Sequence, residues 1–433
     1  MNTAIVSKLA ILAESAKYDV SCSSSGVRRA HRPGRIGSTE ACGICHSFTE
    51  DGRCVSLLKV LMTNVCDYDC AYCVNRVSND LPRASLSPRE LAELTVEFYR
   101  RNYIEGLFLS SAIVRSPDYT MERLVAAVRL LRTEYRFNGY IHLKSIPGAD
   151  RELVRRAGVY ADRMSVNIEI PSERNLRALA PGKDHASVYK PMLFIRQGIE
   201  ENTEEKRRFR HTPRFVPAGQ STQMIVGASN EQDRDILRLA SLLYRGPQLR
   251  RVYYSGYIPV NTDDTRLPAV HQVPLRRENR LYQADWLMRL YGFEAEEILD
   301  DATPNLELGM DPKLAWALRH PEYFPLDVNT AEYEQILRVP GIGLKSAGRI
   351  ISARRCRTLM PEHLRTLGVV MKRARYFLSL PSLAGRSFTI HEAGPAYLRT
   401  LFTEKSPPEA PRQLSLFDAE PAILPAAHAP APT

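Results

Sequence analysis

Long apolar runs are missing from this 433-residue chain. None reaches the ~18 residues of a membrane-crossing helix, so no membrane span is expected. Met1 to Lys17 is amphipathic but has no basic leader and no small-residue cleavage site, which argues against a signal peptide. The expectation is a cytoplasmic protein. No internal repeat of solenoid type is present. Cysteine is almost absent beyond residue 73: seven of the eight lie between Cys22 and Cys73, and only Cys356 lies elsewhere. A secreted disulfide framework spreads its cysteines through a small domain, so this crowding points to metal instead. The formal charge of +10 suits a polyanionic partner. With 44% hydrophobic residues, the chain can build one large domain and a smaller one.

From Val55 the pattern alternates between strand and helix. Strands are expected at 55–63, 106–110, 140–145, 163–169, 222–227 and 252–257. Ser87-Pro88-Arg89-Glu90 reads as a capping box with proline at the first helical position. Leu91, Leu94 and Phe98 mark the apolar stripe of that helix, and Leu124, Val128 and Leu131 that of the next. A further helix is expected at 277–293. Six such units imply parallel strands with right-handed crossovers, closing as a partial barrel or lying open as a doubly wound sheet. Residues 1–54 read as a cysteine-rich extension with a short helix and a Ser/Gly/Arg-rich loop region. Residues 55–300 are the α/β domain, 326–380 a separate helical unit, and 405–433 a disordered Pro/Ala-rich tail.

Cys66, Cys70 and Cys73 form a C-x3-C-x2-C triplet just after the first strand, with Tyr72 before the last cysteine. Three thiolates on a tight loop can hold three irons of a cubane and leave the fourth open. A zinc site is the alternative, but it needs four ligands in a closed tetrahedron and the flanking residues offer no fourth. The triplet and its place in the βα series resemble the signature of the radical S-adenosylmethionine superfamily. That resemblance implies a partial (β/α)6 barrel, a 4Fe-4S cluster, S-adenosylmethionine on the open iron, and a 5′-deoxyadenosyl radical that abstracts hydrogen from substrate. It also implies an electron donor of flavodoxin or ferredoxin type. Where the superfamily carries a Gly-Gly-Glu-like segment that meets the methionyl amine, this chain has Ser110-Ser111-Ala112. Lys144 is a candidate for the methionine carboxylate. Alternation along the fourth strand puts Ser165, Asn167 and Glu169 on one face, toward the ribose, the carboxylate or the substrate. Gln223 to Gly227 resembles the fifth-strand adenine contact. No catalytic acid, base or second hydrogen donor can be named; Tyr68, Tyr253 and Tyr257 are the tyrosines near the expected site. Upstream, Cys22, Cys42, Cys45 and Cys54, with His46 to spare, can complete a second site, either zinc or iron–sulfur. Buried reduced thiols are the alternative reading.

In the helical unit, Pro340-Gly341-Ile342-Gly343, followed by Lys345 and Arg349, resembles the helix-hairpin-helix DNA-binding motif. Such a turn points backbone N–H groups at a phosphate. Residues 326–380 carry ten Lys/Arg against four Asp/Glu, a balance of +6. A second, degenerate hairpin is expected around Leu367-Gly368-Val369. In the tail, Gln413-Leu414-Ser415-Leu416-Phe417 matches the peptide with which bacterial proteins dock on the DNA sliding clamp. Taken over residues 18–380, the chain resembles the radical S-adenosylmethionine proteins described as DNA modification or repair proteins, which are associated with a uracil-DNA-glycosylase-like partner. DNA is the implied substrate class. An RNA-modifying radical enzyme and a non-catalytic iron–sulfur DNA-binding protein are the rival readings.

Overall fold

A computed structural model describes residues 3–16, 44–48, 54–270, 272–379 and 389–403. Cys22, Cys42 and the peptide at 413–417 lie outside the described residues, as does the tail expected at 405–433. The backbone of Cys45, His46 and Cys54 is described but their side chains are not. The chain divides into two units, Met1–Leu306 and Glu307–Thr433.

The first unit is built on one seven-stranded sheet in chain order: β1 (Ile44–Phe48), β2 (Cys54–Leu61), β3 (Gly106–Ser110), β4 (Tyr140–Lys144), β5 (Arg163–Ser165), β6 (Gln220–Val226) and β7 (Arg251–Gly256). Strands β2 to β7 pair in parallel and curl into a half-barrel, as the partial-barrel reading expects. Strand β1 was expected to be loop. It pairs antiparallel with β2, Ile44 opposite Leu58 and Phe48 opposite Cys54.

The helices are α1 (Thr3–Ala16), α2 (Pro88–Arg100), α3 (Pro117–Thr133), α4 (Arg151–Tyr160), α5 (Glu173–Leu179), α6 (His185–Arg208), α7 (Asp233–Arg245), α8 (Leu275–Tyr291) and the short α9 (Ala295–Ile298). The capping box at α2 forms as read: the Glu90 N–H donates to Ser87 Oγ, and the Ser87 N–H to Glu90 Oε2. Leu91, Leu94, Leu124, Val128 and Leu131 are almost wholly buried between helices and sheet. Each such side chain contributes about 1.5–3 kcal/mol on leaving water. Helix α1 packs on the β2 side; Ser15 Oγ accepts from Asn64 Nδ2 and Lys8 pairs with Glu90 at 2.7 Å. No helix among the described residues is long and apolar enough to cross a membrane.

Alternation separates the two faces of the half-barrel. Leu58, Val60, Leu107, Leu109, Ile141 and Leu143 are fully buried on the helix side. The inward face is far more polar and carries Lys59, Ser110, His142, Lys144, Ser165, Ser221 and Gln223. Strand β5 is shorter than expected. It ends at Ser165, and Glu169 adopts φ 61 with only an isolated bridge to Met224.

Among the described residues the regular elements of the second unit are helices: α10 (Pro312–Arg319), α11 (Tyr333–Arg338), α12 (Leu344–Ala353), α13 (Pro361–Thr366), α14 (Met371–Ala374), α15 (Ile390–Ala393) and α16 (Pro395–Phe402). It starts before residue 326 and continues past 380. Trp316, Ile336, Ile350, Leu364 and Phe377 form its interior.

Candidate metal centre and its cavity

The cysteine triplet lies on the loop leaving β2 at the C-terminal end of the parallel strands, where such sheets place their sites. The loop owes its shape to side chains outside it. The Arg83 guanidinium donates to the carbonyls of Asn64, Asn75, Arg76 and Asn79 at 2.6 to 2.9 Å. Asn261 donates to the carbonyls of Ala71 and Cys73, and Asn79 donates to Asn261. Arg76 pairs with Asp264, whose carboxyl is held below the usual carboxylate range by hydrogen bonds from Arg266 and Arg76. The Asp67 N–H donates to Ile113 O and the Ala112 N–H to Thr63 O, which draws the exit of β3 beside the cysteines.

All three sulfurs are free thiols and face one cavity of about 170 Å³. Burial pushes the Cys70 thiol up, and the Cys73 thiol up to about 12. At neutral pH these groups become thiolates only with a strong local cation such as iron. No three His, Cys, Asp or Glu side chains among the described residues group tightly enough for a single metal ion. A cubane asks for no such convergence, because each thiolate takes a different iron.

Of the other expected residues, Tyr72, Ser111, Lys144, Asn167 and Glu169 line this cavity, with Tyr68, Gln223 and Ile225. Asn167 Nδ2 donates to Gln223 Oε1 at 3.0 Å. Ser110 and Ser165 do not line it. The Ser110 hydroxyl is buried without a hydrogen-bond partner, and Ser165 Oγ lies 3.0 Å from His142 Nε2. Tyr257 is core, packed in a cluster with Cys70 and Ile170. Tyr253 faces the lumen as the register partner of Gln223.

Glu169 reaches the cavity through its left-handed backbone rather than through strand alternation. One oxygen, Oε2, accepts from both Tyr72 OH and Lys183 Nζ, the latter at 2.6 Å. Burial opposes the carboxylate, but Lys183 and Lys144 outweigh it and hold the carboxyl below its ordinary value. Burial likewise opposes the Lys183 charge, and Glu169 outweighs it, raising the ammonium above its ordinary value. Burial and the neighbouring Glu169 keep Tyr72 a neutral phenol. Sequence reading missed Lys183, which sits in the turn between α5 and α6, and Asn75, which follows the triplet. A lysine after glycine in a short helix–helix link was the only signal for Lys183.

In the second unit, two helical hairpins pack face to face. Gly341 links α11 to α12 and Gly368 links α13 to α14, each at φ 90. Gly341 O accepts from Val370 N at 2.9 Å. A Cβ on Gly341 would lie 2.7 Å from Val370 O, and one on Gly368 3.1 Å from Ser346 Oγ. Pro340 and Ile342 are buried, so only the backbone of this turn can meet a ligand. Lys313 supports it from α10, donating to Ile342 O at 2.6 Å. Lys345 and Arg349 are exposed and, with Gly348, Ser352 and Leu367, line an open groove.

Residues 60–243 match the family model described as the Radical SAM superfamily. No curated protein matches the chain. Among solved structures, the chain is similar to the FeFe-hydrogenase maturase HydG from Carboxydothermus hydrogenoformans, at 13% identity and TM-score 0.41 over 53% of this chain and 50% of that one. Methylornithine synthase (PylB) aligns at 14% identity and TM-score 0.39, covering 64% and 66%. A radical SAM methyltransferase from Sphaerobacter thermophilus aligns at 16% identity and TM-score 0.36, covering 55% and 69%. The chain spans about half the length of the maturases it matches.

Proposed function

We propose that this chain, which carries a radical S-adenosylmethionine domain across residues 60–243, is a radical enzyme that modifies or repairs nucleic acid, DNA before RNA. The family uses a 4Fe-4S cluster and S-adenosylmethionine. The cavity fits both groups. Cys66, Cys70 and Cys73 would hold the cluster. Asn75 Oδ1, buried at the cavity wall without a partner, is an acceptor left over for a ligand's donor. Lys144 and the polar edge of Asn167, Gln223 and Ser111 suit a zwitterion carrying a ribose. When bound, the two groups supply hydrogen-atom abstraction by a carbon radical.

The chain's own residues do the rest. Arg83 and Asn261 hold the cysteine loop in one conformation. Lys183 and Tyr72 fix the Glu169 carboxylate, and the apolar walls of Leu61, Ile113, Ile146 and Ile225 keep water away.

The observation that supports nucleic acid is the pair of opposed glycine turns beside exposed Lys345 and Arg349. It is the arrangement expected of tandem helix-hairpin-helix elements gripping phosphates without reading bases. A target carbon inside a stacked pair would have to be extruded, at a cost of a few kcal/mol. A flavodoxin- or ferredoxin-like donor would supply the electron. The peptide at 413–417 would engage a sliding clamp, and a uracil-DNA-glycosylase-like protein would be a partner. Anaerobic turnover with duplex DNA and with structured RNA, followed by mass spectrometry of the nucleosides, tests the reading. A new product in the DNA arm is expected. 5′-Deoxyadenosine without any nucleic-acid product would overturn the substrate class, and no 5′-deoxyadenosine from protein with an intact cluster would favour a scaffold role.

A further inference from the structure

Beneath the cofactor cavity the half-barrel keeps a second polar layer. Two residues down from the cavity-lining Leu61, Lys144, Asn167 and Gln223 stand Lys59, His142, Ser165 and Ser221, about 7 Å lower at the rise of a strand. Arg251 is the register partner of Ser221, and Arg163 that of His142. Lys59 is 3% exposed and has no hydrogen-bond or ion-pair partner among the described residues. The Ser221 hydroxyl and the Nε atoms of Arg163 and Arg251 are buried and unpartnered. The Arg251 guanidinium lies 5.2 Å from the centre of the Tyr253 ring. Burial raises the Tyr140 phenol on β4 to about 12, with Arg163, Tyr253 and Asp162 close enough to act on it; Asp162 is itself engaged by Arg132 and by the Ile141 N–H. No Asp or Glu occupies an inward position on β2 to β7.

Two guanidinium groups, always charged, and a lysine turned into one lumen with no inward carboxylate have nothing to balance them, and buried donors without acceptors are costly. A small oxyanion answers both: it neutralises charge and accepts from guanidinium and hydroxyl donors. We propose that the lower lumen binds a phosphate or carboxylate group, held by Arg163 and Arg251 with Ser221 donating and Lys59 adding charge from β2. This site is distinct from the cofactor cavity and independent of the nucleic-acid reading.

Calorimetric titration of the cluster-loaded full chain tests it, with inorganic phosphate and a deoxynucleoside 5′-monophosphate at matched ionic strength. Saturable binding is expected. Arg251→Met and Ser221→Ala should weaken it, the former by roughly tenfold or more, while a Lys345→Glu/Arg349→Glu variant retains it. Tighter binding of the nucleotide assigns the anion to a larger ligand, and equal binding assigns it to free phosphate; either supports the site. Lys59→Met, which replaces a buried amine that has no partner among the described residues, should fold at least as stably as the parent yet bind more weakly. No saturable heat in the parent, or unchanged affinity in both Arg251→Met and Lys59→Met, would overturn the proposal.

Discussion

At the scale of single residues, the Glu169–Lys183 pair is the strongest electrostatic feature of the cavity. Their side chains are 13% and 12% exposed, so each depends on the other. Lys183→Met should cost about 3 kcal/mol, because it strands a buried carboxylate; urea unfolding measures this, and a loss near zero would show the pair to be well solvated. The pH dependence has a definite sign. The Glu169 carboxyl is held below its ordinary 4.5, so its contribution is complete above that pH and is lost as pH falls through the lower folded value. The Lys183 ammonium is held above its ordinary 10.5, so its contribution is complete below that pH and lost only beyond it. Thermal melts of the parent and Glu169→Gln should therefore converge as pH drops from 7 toward 3, and parallel curves would refute the assignment. Cys70→Ala should abolish the brown iron–sulfur absorption after anaerobic reconstitution while the far-ultraviolet dichroism persists, and retention of the chromophore would refute the ligand role.

At the scale of elements, the cysteine loop has almost no regular structure of its own and is held by four carbonyl contacts to one guanidinium. Hydrogen bonds to a charged donor contribute about 1.5–3 kcal/mol each when buried, and less where water competes. Arg83→Met should cost at least ~2 kcal/mol and raise amide exchange across 64–79 while leaving that of α3 unchanged; uniform exchange across both would contradict a local staple. The hairpin glycines carry a different message. Gly341→Val would place a side chain where a phosphate approaches the turn, yet its Cβ would strike Val370 O. That substitution should unfold the hairpin pair, by at least ~2 kcal/mol with the left-handed backbone included, so it reports on packing before binding.

At the scale of the whole molecule, basic residues are concentrated in the helical unit, ten Lys/Arg against four Asp/Glu over 326–380. Of the basic residues at 326–380, Arg373 is engaged by Asp311 and Arg354 by the carbonyls of Val328 and Ala331, whereas Lys345 and Arg349 face solvent. Lys345→Glu/Arg349→Glu should weaken duplex binding uniformly across sequences and reduce the slope of log affinity against log salt by about 2. Fluorescence anisotropy over a salt series checks this, and an unchanged slope would move the interface elsewhere.

Much of the barrel was legible because its signals are local. Apolar periodicity placed the parallel strands, a capping box placed α2, and the spacing of Cys66, Cys70 and Cys73 marked the loop between them. Composition likewise determined that charge gathers in the helical unit. Other features arise between segments far apart in the chain, which no window of sequence contains. Alternation put Glu169 on the right side for the wrong reason, since its left-handed φ follows from how the end of β5 meets β6. Lys183 joined the cavity only when the α5–α6 turn folded back over the cysteine loop, where the Ala71 N–H donates to Leu179 O. Sequence determined which side chains could carry the chemistry; tertiary structure decided which of them share one low-dielectric space, because only there do burial and neighbouring charge set how they act.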